Sequence, residues 1–232
     1  MVDNIIYQDN HIIVCLKEPG VLSQAGPLDK PDMVNKLKLY LKEKYNKPGN
    51  VYLGLVHRLD LNVGGVMVFA KTSKAAKRLN QQIRNNLFEK KYLAVVLGEL
   101  NKKHYELENY IKKDIDNRIA VITNKNSGKL AKLYFEVIDI YKNNTQTLSL
   151  VDINLETGRF HQIRSQLAYI GHPIYGDNKY GPKTKGYELG LYAYSLSFNH
   201  PTKKDKLKFV NYPKTGIFKL FYNSIRGEIN DK

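Results

Sequence analysis

Apolar residues in the first part of the chain fall into short runs broken by polar turns. Ile5 to Leu16 holds two such runs around Gln8-Asp9-Asn10, which predicts two strands and a tight turn. Lys17 to Asp29, with Pro19, Gly20, Gly26 and Pro27, reads as a loop. Pro31 then opens a helix on which Met33, Val34, Leu37, Leu41 and Tyr45 recur at helical spacing, until Lys47-Pro48-Gly49-Asn50 stops it. Val51–Val56 predicts an apolar strand, Gly64-Gly65 a turn, and Val66–Ala70 a second strand. The next helix covers roughly residues 74–88, capped by Thr72 or Ser73. Ala75, Ala76, Leu79, Ile83 and Leu87 form its inner face, with Lys74, Lys77, Arg78 and Arg84 opposite.

The second half is richer in strands. Tyr92–Leu97, residues 130–140 and 146–155, and later 191–198 and 206–210, all read as extended, with Lys142-Asn143-Asn144 as a hairpin turn. A short helix follows Thr157-Gly158, turning Phe160, Ile163, Leu167 and Ile170 inward and stopping at Gly171. Many strands, frequent hairpins and three or four helices predict an α+β fold built on a mostly antiparallel sheet. A dinucleotide or P-loop architecture would need a glycine-rich turn from strand to helix, and none is found.

Charge changes this picture more than overall composition does. The 37 Lys and Arg exceed the 22 Asp and Glu, a formal net charge of +15. Such an excess suits a polyanionic partner, because each cation that meets a phosphate releases a condensed counterion. A basic helix face is usually a solvated surface, and phosphate contact is the second reading for Lys74, Lys77, Arg78 and Arg84. Cys15 is the only cysteine and lies in an apolar run, so neither a disulfide framework nor a cysteine-based zinc site is expected; a buried thiol is. The six histidines show no metal-ligand spacing, and no apolar run nears the roughly 20 residues of a membrane span. A cytoplasmic protein is expected.

Two segments carry candidate chemistry. His57-Arg58-Leu59-Asp60 places a carboxylate just after an apolar run, though an Asp there is usually a turn residue. Glu156-Thr157-Gly158-Arg159-Phe160-His161-Gln162-Ile163-Arg164 is dense in hydrogen-bond donors, and His161 and Arg164, three apart, would be neighbours on a helix surface. The bland reading of the second segment is a helix with a polar outer face. The glycine-rich stretch from Gly171 to Gly181 follows it.

These segments resemble the RluA-type pseudouridine synthases. His57 to Asp60, followed by Gly64-Gly65, is similar to the family's H-R-L-D-x-x-x-S-G, with Gly64 where many members carry Ser. Lys91 to Val96 resembles its tyrosine motif. Residues 155–181 resemble L-x-T-G-R-x-H-Q-I-R followed by G-H-P-I-x-G-D-x-x-Y-G, and Leu196 to Pro201 resembles its L-x-F-x-H-P strand. Lys17-Glu18-Pro19-Gly20 departs from the family's N-K-P-x-G. The resemblance spans about residues 5–221 and implies one catalytic domain over 1–232, without the S4 RNA-binding domain that many relatives carry. The fold it implies is a mixed, mostly antiparallel sheet with flanking helices and a central active-site cleft.

It further implies an isomerase that converts uridines in ribosomal or transfer RNA to pseudouridines. Asp60 matches the catalytic aspartate, open to three routes: attack on the anomeric carbon, attack on the base, or removal of a sugar proton. Arg58 matches the arginine that fills the stack vacated by the flipped base. Tyr92 matches the active-site tyrosine, and Arg164 the arginine paired to the catalytic aspartate. His57 and His161 are expected to support these groups. No metal, small-molecule cofactor or membrane is implied, and a monomer is expected. Two other readings stand beside this one: an RNA-binding module without turnover, and a nucleoside hydrolase. The hydrolase would need a second carboxylate or a metal; only Glu156 and Asp177 lie near the motifs, neither at a catalytic position of the family.

Overall fold

The computed structural model describes residues 4–26 and 30–230, so Pro27 and Asp29 of the predicted loop lie outside the described residues. The chain divides into two compact units. The first runs up to Glu89 and takes in Ala193–Asn211; the second holds Lys90–Tyr192 and the chain from Tyr212 onward. Every strand ladder described below is antiparallel, as expected for this α+β pattern.

In the first unit β1 (Ile5–Gln8) and β2 (Ile12–Lys17) form the expected hairpin. The helix α1 spans Met33–Lys44. It starts later than the sequence suggests: Pro31 precedes it, and Asp32 is the cap, its carboxylate accepting from the Asn35 N–H. β3 is only Gly54–Leu55, and β4 covers Gly64–Ala70. β2 pairs with β4 from Ile12↔Ala70 to Lys17↔Gly65. Gly64 and Gly65 therefore belong to a strand, not to a turn. Gly65 has φ +136°, and a methyl group there would lie 2.2 Å from the Ala193 carbonyl, so only glycine permits this approach.

The predicted strand 51–56 is cut short for a physical reason. The Val68 N–H, which could bond a neighbouring strand, donates instead to His57 Nε2 at 3.1 Å. β3 pairs with β4 only at Ala70 and Phe69, and the chain then turns away. The helix α2 (Ser73–Arg84) is capped by Thr72. It ends before the predicted residue 88, because Asn86 turns into left-handed backbone at φ 54°. Leu87 is thereby left exposed, and Phe88 enters the core in its place. Ile12, Val14, Val66, Val68 and Ala70 present one sheet face to Ala75, Ala76 and Leu79 of α2. Ile13, Cys15, Met67 and Phe69 are buried as well. Burial on both faces explains why these strands read as continuous apolar runs, and it pushes the Cys15 thiol up to about 12.

The second unit begins with β5, which starts at Glu89 and ends at Leu97. β6 (His104–Asp114), β7 (Ile119–Thr123), β8 (Lys129–Lys142) and β9 (Thr147–Leu155) follow, in the sheet order β5-β9-β8-β6-β7. β6 and β7 were not read from the sequence: charged residues are dense in β6, and β7 is a run of only five residues. The β8–β9 turn is held by Asn143, whose side-chain oxygen accepts from the Thr145 and Gln146 N–H groups. The helix α3 (Gln162–Tyr169) ends at Gly171, φ +85°, as expected. β10 (Leu191–Asn199) starts in this unit and continues into the first, where it pairs with β11 (Lys206–Val210). A 3₁₀ turn over Gly216–Phe221 and the helix α4 (Tyr222–Asn230) follow, burying Phe218, Phe221 and Ile225. Among the described residues no helix is long and apolar enough to cross a membrane.

One charge-assisted hydrogen bond ties the ends of the first unit together. Asp9 Oδ1 accepts from the His11 and Ile12 N–H groups at 2.7 and 2.8 Å, and Oδ2 lies 2.6 Å from His200 Nε2. His200 Nδ1 accepts from the Lys203 N–H at 2.9 Å, so the ring proton sits on Nε2 and is donated to Asp9. Burial alone would raise the Asp9 carboxyl. The two backbone donors, His200 and the Tyr7 hydroxyl outweigh it and bring the group down to about 2. A carboxylate lowered on folding stabilises above its unfolded value, and that contribution is lost as pH falls through the folded value. Asp9 should therefore contribute roughly 2 kcal/mol above pH ~4, fading toward pH ~2. Urea unfolding of the wild type and Asp9→Asn across this range should show the difference between them shrinking with acid; a constant difference would refute the assignment.

Candidate active site

The segment His57-Arg58-Leu59-Asp60 is irregular backbone, yet side chains fix it. Leu59 is buried, with Arg58 exposed on one side and Asp60 half-buried on the other. The Ser23 hydroxyl accepts from the Leu59 N–H at 3.0 Å and donates to the Leu59 carbonyl at 2.9 Å. The His57 ring packs edge-on against Phe88, 5.4 Å between centroids, while its Nε2 holds Val68. His57 Nε2 is thus an acceptor, and the ring braces the backbone before Asp60.

Lys17 is the residue that sequence reading passed over here, noticed only as part of a divergent motif. It is buried, and its Nζ donates to the carbonyls of Glu18, Val21 and Leu61 at 3.1, 2.7 and 3.0 Å. Burial pulls the ammonium down to about 8, opposed by attraction to the Asp60 and Glu18 carboxylates. It stays largely protonated at neutral pH. Lys17 thus holds the loop before Asp60 and the backbone after it with one charged group, and places a cation in reach of Asp60. The available signal was a lysine at the end of an otherwise fully apolar strand.

The basic face of α2 is narrower than expected. Lys74, Lys77 and Arg84 are exposed. Arg78 is half-buried and donates to the Pro201 carbonyl at 2.7 Å, which makes it a structural contact and removes it from the solvent-facing set.

The remaining predicted residues lie in the second unit. Tyr92 is buried in β5, opposite Ile153 of β9. The donor-rich segment is not a helix with a polar outer face: Gln162, Arg164, Ser165 and Gln166 are all buried. Gln162 accepts from the Arg159 N–H and the Thr157 hydroxyl at 3.0 and 2.8 Å and donates to the Lys132 carbonyl at 3.1 Å. Gln166 donates to Asn109 at 2.8 Å. These polar side chains seat α3 on β6 and β8, each buried donor finding an acceptor there.

His161 precedes the helix in left-handed backbone, φ 49°, so it does not share a helix surface with Arg164. Both nevertheless meet Tyr180. Its hydroxyl accepts from the Ala120 N–H at 2.5 Å and lies in hydrogen-bond contact with His161 Nδ1 at 2.9 Å. The Arg164 guanidinium sits 5.2 Å from the Tyr180 ring centroid. Arg164 also makes a bidentate pair with Asp177, Nε to Oδ2 at 2.7 Å and Nη2 to Oδ1 at 2.8 Å. Asp177 Oδ1 accepts as well from the Lys179 and Tyr180 N–H groups at 3.0 and 3.3 Å. Asp177, given no role in the sequence reading, is what fixes the plane of Arg164.

The profile of the RNA pseudouridylate synthase family matches residues 11–169. The chain belongs to that family. It is 34% identical over 209 residues to the dual-specificity RNA pseudouridine synthase RluA of Pasteurella multocida, covering 89% of this chain and 91% of that one. It is 32% identical to the ribosomal large subunit pseudouridine synthase C of Buchnera aphidicola, covering 97% and 71%. It is also 32% identical to the ribosomal large subunit pseudouridine synthase D of Borreliella burgdorferi, covering 95% and 69%. The solved structure of human RNA pseudouridylate synthase domain containing 4 superposes with TM-score 0.76 at 22% identity, covering 96% and 93%. That of human RNA pseudouridylate synthase domain containing 1 gives 0.71 at 19% identity, covering 96% and 94%. The fold is therefore the pseudouridine synthase fold. The family match runs across the boundary at Lys90 and takes in Asp60, Tyr92 and Arg164.

Removing one member of a buried ion pair strands the other, typically at a cost of about 3–5 kcal/mol. Asp177→Ala should lose about that much in urea unfolding, while Arg164→Met combined with Asp177→Leu should recover most of it. An Asp177→Ala variant as stable as the wild type would show that the pair does not hold Arg164.

Proposed function

We propose that this protein isomerises specific uridines in structured ribosomal or transfer RNA to pseudouridines, with Asp60 as the reacting carboxylate. The observation that carries the reading is the placement of Asp60: half-buried beside buried Leu59, on backbone braced by Ser23, His57 and Lys17. A group held this way meets a reactant with little reorganisation. The reaction breaks the carbon–nitrogen glycosidic bond, turns the uracil and rejoins it through carbon, so atoms balance without a cofactor or a water. Breaking that bond leaves electron deficiency on the sugar or demands a nucleophile, and a carboxylate serves either need.

The other residues take the roles that family membership suggests. The target base leaves its stack at a cost of about a few kcal/mol. Arg58, exposed and flat at its tip, fills the gap. Tyr92 contacts the base, and Arg164, its plane fixed by Asp177, keeps the catalytic carboxylate ionised. Lys74, Lys77 and Arg84 take RNA phosphates. One catalytic domain acting as a monomer in the cytoplasm belongs to the same reading. The relatives' names, which mention RNA and the ribosomal large subunit, support the RNA substrate.

Asp60→Asn should abolish pseudouridine formation while circular dichroism and RNA binding stay as in the wild type. Products are read by pseudouridine mapping of total RNA with and without this gene, then with the purified protein. Free uracil as product would make the protein a hydrolase; RNA binding without any product would make it a binding module.

Replacing Lys74, Lys77 and Arg84 together by Ala should lower the slope of log affinity against log salt by roughly 0.7–0.9 for each phosphate that is no longer neutralised. An unchanged slope would mean that this face of α2 meets only solvent.

A further inference from the structure

Most buried or half-buried lysines here have an evident partner. Lys17 holds three carbonyls, and Lys91 lies 3.5 Å from Asp152. Lys90 differs. It is half-buried on β5, and among the described residues no carboxylate or carbonyl accepts from its Nζ. Its ammonium lies against Gly158: a methyl group there would come within 3.3 Å of Nζ. The neighbouring charge is of the same sign. Burial first, and then repulsion from Arg159, together bring the Lys90 ammonium down to about 8. Arg159 is exposed but not loose, since its Nε donates to the Leu130 carbonyl at 2.8 Å.

Two held cations with no anion between them are costly to a free protein. Such a pair becomes favourable when an anion arrives, and phosphate oxygens suit both an ammonium and a guanidinium. Place on the strand says which anion. Side chains alternate along β5, so Lys90 shares a face with Tyr92, roughly 7 Å away, while Lys91 points to the other face toward Asp152. Gly158 is exposed and has no side chain to cover the site.

We propose that Lys90 and Arg159, over Gly158, form a phosphate site that holds an RNA backbone phosphate on the Tyr92 face of β5. The proposal rests on the reading of the protein as an RNA isomerase. In it Lys90 and Arg159 are positioning residues, which set the RNA strand relative to Tyr92 and do not touch the reacting atoms. The lysine is left unpaired in the free protein so that the RNA supplies its partner.

The test measures affinity for a stem-loop RNA with an all-uridine loop across a salt series, for the wild type, Lys90→Met and Lys90→Arg. Lys90→Met should bind several-fold more weakly, with the log–log slope smaller by about 0.7–0.9. Lys90→Arg should restore both. The thermal midpoint of free Lys90→Met should rise, because an unpaired desolvated charge has been removed. Equal affinity and slope in folded Lys90→Met would overturn the proposal. So would lost turnover at unchanged affinity and slope that Lys90→Arg fails to rescue, since the amine would then act in the chemistry. If Lys90→Met does not fold, single methylphosphonate substitutions along the RNA replace it. One position should weaken the wild type by several-fold, and no such position would overturn the proposal. Wild-type product mapping is a separate readout: a changed slope without any pseudouridine would sink the isomerase reading and leave the phosphate site standing.

Discussion

The bond from the Val68 N–H to the His57 ring decides how the first unit presents its chemistry. A backbone donor on a strand edge calls for another strand, and a neighbouring strand would continue from Leu55. The imidazole takes that donor instead. The chain is released from the ladder while its polar requirement stays met. Asp60 then stands on irregular backbone, and further side chains must supply the order that a ladder would have given. Ser23 clamps Leu59 in both directions, and Lys17 gathers carbonyls from either side of the segment. A buried ammonium costs a great deal unless its protons are satisfied, and here the carbonyls satisfy them.

The second unit orders its polar side chains by the opposite means. Its donor-rich segment is largely buried, and Gln162 and Tyr180 each bind more than one stretch of chain. Gln162 binds the turn at Arg159 and the strand at Lys132. Tyr180 accepts from Ala120, engages His161 and lies against Arg164. Asp177, fully buried, accepts from Arg164 and from two backbone N–H groups. Networks of this kind specify one arrangement because any half-satisfied alternative leaves a buried polar group unmatched. Lys90 is the exception within this unit, a cation that the fold holds in place without neutralising it.

Much of this was legible in the residues alone. The β1–β2 hairpin, the strands of the β4, β5, β8, β9, β10 and β11 regions and the body of three helices follow from apolar periodicity, which records burial directly. The motif-bearing positions Asp60, Tyr92 and Arg164 were legible by resemblance, and the family match covers them. Element ends were less so. The strand at 51–56 and the helix at 74–88 both stop early, one because a ring takes a ladder donor and the other because Asn86 adopts left-handed backbone. Hydropathy does not encode either event. β6 was missed because its charged residues hide the period, and β7 because its run is only five residues long.

By itself, then, the sequence determined the strand-rich α+β class, the basic charge, the buried thiol at Cys15 and the family, since these depend on residue types and their order. Tertiary structure alone decided which polar side chains are structural. Arg78 left the solvent face because Pro201, far along the chain, offers it a carbonyl. Asp177 gained a role because folding brings it against Arg164. Lys17 and Lys90 are chemically alike in sequence and opposite in the fold, one ringed by carbonyls and the other facing a second cation. A side chain's polarity is a local property, but its partner is supplied by distant chain, and the partner decides whether a buried charge is satisfied or waits for a ligand.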